Sequence, residues 1–176
     1  AWLPNGTVMV TERPGPLNVY VDGVDAEPTV IPFTDLVSNG GEGGLMGLEV
    51  DPEFEENGYV YLCMASSAGG GNDVRVIRLT MTRPNAASVE DRTDIVTGIP
   101  HNDGSNGRHS GCRPRFGPDG YLWIGTGDAA FGVGAVRLVL DQVLVAGAGH
   151  ALHRAAQAPD AGDLVEAHGA GLGAEQ

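Results

Sequence analysis

His109, Asp128 and Glu42 are the side chains of this sequence whose types and settings suit proton-transfer chemistry. His109 opens the string "HSGCR", and an imidazole can accept a proton near neutral pH. Asp128 closes "YLWIGTGD". It lies eight residues past the Asp119-Gly120 turn, and His109 lies ten before it, so a hairpin folding at that turn brings the two to one end. A carboxylate there can orient the ring and stabilise its protonated form. Glu42 stands among glycines 40, 41, 43 and 44, which let the backbone approach a ligand and project the carboxylate into a cleft. Each also has a plainer reading: His109 as a structural residue where a loop enters a strand, Asp128 as the cap of a turn, Glu42 as a solvated loop residue. His101 reads as a solvated loop residue. The glycine loop lacks the GK[ST] ending of a phosphate loop. The acidic strings "DPEFEEN" and "VEDRTD" lack calcium-loop spacing and read as solvated turns.

Three segments must position these groups: "WLPNGTVMVTE", "VDPEFEENGYVYLCMAS" and "RFGPDGYLWIGTGD". Each carries Pro, then Asn or Asp with Gly, then an alternating strand, which predicts three hairpins with positive φ supplied by the Asn/Asp-Gly pairs. Pro4, Pro52 and Pro118 are 48 and 66 residues apart. That is near the length of a propeller blade with loop insertions, so an all-β partial propeller is expected ahead of a β-sandwich. "LNVYVDG" and "DVRVIRLTM" supply further strands, and few helices are expected before residue 130.

The remaining 45 residues differ in kind: 19 of them are Ala or Gly and no Pro-Asp-Gly hairpin recurs. Residues 132–176 therefore form a separate region, irregular or weakly helical around "AVRLVLDQVLVAG" and "HALHRAAQ". Translation in the wrong frame of a GC-rich gene would produce such a tail. It predicts a further strand-hairpin series in another frame beyond codon 131, and finding none in either overturns the idea.

A net charge of −13 argues against a nucleic-acid backbone or an anionic membrane surface as partner. No apolar run approaches the roughly 20 residues of a membrane helix. The chain begins at Ala1 within what reads as a strand-turn-strand unit, so it is expected to start inside a longer protein. Cys63 and Cys112 fit neither a zinc nor a CxxC pattern, leaving a disulfide or two buried thiols.

Taken together, "LPNGTVMVTERPGPLNVY", "GGEGGLMGLEVDPEFEENGYVYL", "NDVRVIRL" and "RHSGCRPRFGPDGYLWIGTGDAA" resemble, in order, the glucose/sorbosone dehydrogenase family. These are six-bladed propellers that oxidise aldoses with pyrroloquinoline quinone (PQQ). The resemblance covers residues 1 to about 131. It implies that His109 is the general base taking the proton of the sugar's C1 hydroxyl while hydride passes to PQQ. It implies further that Asp128 partners the base, Glu42 lies near the sugar and Arg113 belongs to the cofactor motif. Pro114 stands where the family usually has an apolar residue with a backbone N–H, so one ladder bond of that strand is lost unless it faces an edge. The family's calcium ligands and remaining quinone contacts lie in later blades. The resemblance thus implies that residues 1–131 are the N-terminal blades of an enzyme that is inactive as this piece alone. It also implies export, an electron acceptor as second partner, and a Cys63–Cys112 disulfide worth roughly 4 kcal/mol by loop entropy. A calcium-dependent lactonase and a non-catalytic extracellular binding propeller are the competing readings.

Overall fold

β-Branched and aromatic residues in period-two alternation build nine strands and one short helix in the computed structural model, which describes residues 1–38, 41–102 and 107–130. The first sheet joins β1 (Val8–Thr11), β2 (Leu17–Tyr20) and β3 (Thr29–Ile31) in sequence order. The second joins β4 (Leu45–Val50), β5 (Tyr59–Ser66), β6 (Asp73–Met81) and β7 (Val89–Ile99), with helix α1 (Phe54–Asn57) between β4 and β5. The third pairs β8 (Gly111–Phe116) with β9 (Leu122–Thr126). All strand pairs are antiparallel.

The middle strands of the second sheet, β5 and most of β6, are buried on both faces, and that separates a propeller blade from a sandwich sheet with one wet face. Along β5, Val60, Leu62 and Met64 point into a cluster with Met9, Leu17 and Val19 of the first sheet. Their neighbours Tyr61, Cys63 and Ala65 point into a second cluster with Cys112 and Leu122 of the third. One strand thus serves two cores because successive side chains leave opposite faces. The result is a complete four-stranded blade between parts of two others, the expected all-β partial propeller. Among the described residues no helix is long and apolar enough to cross a membrane.

The three Pro-Asn/Asp-Gly segments share one turn device, though a different one from that expected. Only the glycines take positive φ: Gly6 at 90°, Gly58 at 70° and Gly120 at 80°. The residue before each uses its side chain instead, accepting the N–H two positions on: Asn5 from Thr7 (3.1 Å), Asn57 from Tyr59 (2.8 Å) and Asp119 from Tyr121 (3.1 Å). A short polar side chain that mimics a backbone turn removes the need for a left-handed Asn or Asp. The middle hairpin departs further, since α1 fills its loop and Gly58 caps it in the left-handed conformation.

Neither acidic string is a solvated turn throughout. "VEDRTD" opens β7, the outer strand of its sheet, where charge protects an exposed edge. In "DPEFEEN", Asp51 is buried and organises the loop: Oδ1 accepts from Glu53 N (2.9 Å) and Asn57 Nδ2 (3.0 Å), and Oδ2 accepts from the Tyr61 hydroxyl (3.0 Å). Burial, and then the neighbouring carboxylate, push the Tyr61 hydroxyl's pKa far above its ordinary value. The expected helices beyond residue 131 lie outside the described residues.

Pro114 sits opposite Ile124. Gly117 N–H bonds Tyr121 O at 2.9 Å, and counting back by alternation makes Pro114 a non-hydrogen-bonded position whose missing N–H would face away from β9. It therefore costs the ladder nothing, as an edge placement requires.

Replacing Asp51 by Ala is expected to destabilise the protein by about 2–4 kcal/mol in urea unfolding, because three donors lose their acceptor in a buried site. Asp35 generates a pH dependence. Its carboxylate receives both Arg92 Nη1 (2.7 Å) and Nη2 (2.8 Å) with the Ser66 hydroxyl at 2.5 Å, and the Arg92 bonds are the main reason its pKa lies well below the ordinary carboxylate range. A depressed folded pKa means that the contribution is fully present above about pH 4 and is lost as pH falls toward the folded value. Asp35→Asn should lower thermal stability at pH 7 and flatten its decline between about pH 4 and pH 2.

Candidate active site

Backbone geometry around His109 is unusual for non-glycine residues. His109 has φ 58° and Cys112 φ 104°, with Gly111 at 54° between them. The register against β9 shifts between Gly111 and Arg113, a bulge that inserts Cys112 into β8. Cys112 is buried and bonded to Cys63 of β5, so the disulfide the resemblance implied joins the complete blade to the strand that follows His109.

Left-handed backbone is costly for a residue with a Cβ, and His109 is held in it from both sides. Its N–H donates to Glu42 Oε2 at 2.6 Å, and its carbonyl accepts the Ala129 N–H at 3.0 Å. Gly127 must be glycine, because a Cβ there would lie 1.7 Å from the His109 carbonyl oxygen. Asp128 follows, two residues past β9, and its Oδ1 meets His109 Nδ1 at 2.9 Å while accepting the Ala130 N–H at 3.0 Å. The hairpin register thus brings the two residues together as their spacing indicated.

Asp128 is held below its ordinary pKa, first by the Ala130 N–H and then by His109. An ionised carboxylate only accepts, so this contact places a proton on Nδ1. The side chains are 56% and 50% exposed, so the pair lies at the surface.

Glu42 reaches the backbone of His109. Its loop is held from two directions. Glu42 N–H donates to Gly107 O at 2.9 Å, and Arg13 Nη1 donates to the carbonyls of Gly41 (2.5 Å) and Gly43 (3.2 Å). Arg13 has no sequence signal as a site residue, since its partners lie 28 and 30 positions away. His101 is half-buried, unlike the solvated residue expected, and its ring packs on Gly43, where a Cβ would lie 2.3 Å from Cε1.

Beside this array lies an open cleft of about 570 Å³ lined by residues that include Glu42, Met46, Gly47, Gly111, Arg113 and Arg115. Gly47 of β4 passes so near β8 that a Cβ would stand 2.6 Å from the Cys112 carbonyl oxygen. Arg115 pairs with Glu49. Arg113 is exposed and makes no ion pair with the described residues. No group of three His, Cys, Asp or Glu residues suited to a metal occurs among the described residues.

This chain is similar to known proteins in sequence and in fold. An uncharacterized protein of Synechocystis sp. is 31% identical over 136 residues, which are 73% of this chain and 32% of that protein. The Hedgehog-interacting protein of Mus musculus is 33% identical over 98 residues, 52% of this chain and 14% of that one. Among solved structures, the PQQ-bound aldose sugar dehydrogenase of Streptomyces coelicolor superposes with a TM-score of 0.59 at 29% identity, covering 73% of this chain and 36% of that one. A Thermus oxidoreductase described as a glucose dehydrogenase gives a TM-score of 0.58 at 34% identity, covering 73% and 35%. The chain therefore spans about a third of the Synechocystis relative and of these two structures. The family described as Glucose / Sorbosone dehydrogenase matches residues 1–170, past the point where the quoted motifs stop, and this chain belongs to that family.

Proposed function

We propose that these residues form the base-bearing part of an oxidoreductase that oxidises the C1 hydroxyl of an aldose. The observation that carries the reading is the exposed His109 whose Nδ1 is taken by Asp128 at 2.9 Å, leaving Nε2 to accept. In this reading Nε2 removes the hydroxyl proton as the C1 hydride departs, and Asp128 keeps the tautomer and offsets the charge that develops on the ring. Glu42 and the glycine loop border the space for the sugar.

PQQ is the proposed hydride acceptor, supported by family membership and by a solved relative that holds it. The described residues fit a flat polyanion: Arg113, which makes no salt bridge among them, borders a cleft lined by Gly47 and Gly111. Calcium, proposed as a second cofactor, finds no ready cluster of ligands among the described residues, and no step is routed through it. An external electron acceptor completes the cycle. Export is proposed as well, supported by the disulfide, which persists in oxidising compartments.

A second reading, a binding propeller without turnover, is favoured by the similarity to the Hedgehog-interacting protein. The full-length protein, reconstituted with PQQ and calcium and given an aldose and an artificial acceptor dye, separates the two. Wild type should turn over, His109→Ala should lower kcat by about 10²–10⁴-fold, and Asp128→Asn should give a smaller loss. Equal rates in wild type and His109→Ala remove His109 as base, and no turnover in any variant favours binding.

A further inference from the structure

We propose that Arg13 is a positioning residue for His109, acting through the glycine loop and Glu42. The inference rests on the reading of His109 as the base. The contacts run in series. A single Arg13 nitrogen donates to the carbonyls of Gly41 and Gly43, the residues on either side of Glu42. The Arg13 carbonyl accepts the Leu45 N–H at 2.9 Å, and a Cβ on Gly44 would lie 2.1 Å from that oxygen, so loop and arginine backbone are in direct contact. On the far side of the loop, Gly41 passes Gly107 so closely that a Cβ would stand 2.5 Å from the Gly107 oxygen. Between these anchors the Glu42 carboxylate reaches the His109 N–H at 2.6 Å.

The need for such a relay follows from the His109 backbone. A left-handed residue with a Cβ relaxes toward negative φ unless its surroundings over-determine it. Rotation about φ would swing the imidazole away from Asp128. The carbonyl side is secured within its own hairpin by Ala129 and Gly127. The N–H side depends on a carboxylate from another sheet's loop, carried by glycines with little conformational preference of their own. Arg13 supplies what the glycines lack, because a guanidinium nitrogen offers two N–H groups to the two carbonyls that bracket Glu42.

The test uses the full-length protein with Arg13→Ala, Arg13→Lys, Glu42→Ala and the Arg13→Ala/Glu42→Ala pair. Two readouts are needed: steady-state kinetics on an aldose with PQQ bound, and the His109 ring N–H resonance in ¹⁵N-histidine-labelled protein without substrate, assigned by its loss in His109→Ala. Arg13→Ala should broaden or shift that resonance and lower kcat by about tenfold or more with KM changed far less. Arg13→Lys should recover part of both, and Arg13→Ala should add little to the loss in Glu42→Ala, since two residues acting in series are not additive. An unchanged His109 resonance in Arg13→Ala, or fully additive losses in the paired variant, overturns the relay. If no variant or wild type oxidises a sugar, the proposed function fails, and the resonance still decides the relay. If Arg13→Ala does not fold, a Glu42→Ala resonance displaced from wild type with an Arg13→Lys resonance displaced part of the way toward it supports the relay, and a Glu42→Ala resonance identical to wild type overturns it.

Discussion

Everything in this structure depends on β5 having two buried faces. Val60, Leu62 and Met64 hold the first sheet, while Tyr61, Cys63 and Ala65 hold the third, so a single strand sets where both neighbours sit. Apolar burial of this kind is worth roughly 25 cal/mol per Å² and has no direction. Position is refined by directional contacts at the margins of the two clusters. The Cys63–Cys112 disulfide ties β5 to β8, and the Asp51–Tyr61 hydrogen bond ties β5 to the loop that follows β4. A blade that packs on one side only would leave β8, and with it His109, without a seat.

The candidate active site is assembled from what that packing brings together. His109 and Asp128 belong to one hairpin, and their contact is local to it. Glu42 comes from the loop before β4, and Arg13 from the turn between β1 and β2, so the site draws on all three sheets. Its backbone is strained where the chemistry is proposed to occur, with left-handed φ at His109, Cys112, Ala129 and Ala130. Such strain persists when several contacts enforce it, and here an acceptor, a donor, a disulfide and the obligatory Gly127 do so. The Arg113 cleft between β4 and β8 lies alongside, and it shares Glu42 with the loop that holds the His109 backbone.

Short-range features were legible in the residues themselves. The Pro-Asn/Asp-Gly turns, β2, β6 and the His109–Asp128 meeting all follow from local spacing, because turn chemistry sets hairpin register and register sets which residues face each other. Even there the dihedral detail differed, since Asn5, Asn57 and Asp119 turn the chain with a side-chain oxygen and leave positive φ to glycine. Strand β7 escaped notice because an outer strand rich in Glu, Asp and Arg carries little alternation of hydrophobicity. Asp51 looked like one more surface acid, and only the fold buries it.

By itself, then, the sequence determined the all-β class, the three turns, the partnership of His109 with Asp128 and the family likeness, all of which are written in contiguous strings. The tertiary structure decided which strand would be buried twice, that Cys63 would bond Cys112, and that Glu42 would take hold of the His109 backbone with Arg13 behind it. Those contacts join residues 28 to 67 positions apart. No local periodicity encodes them, because they arise where sheets pack and separate loops converge.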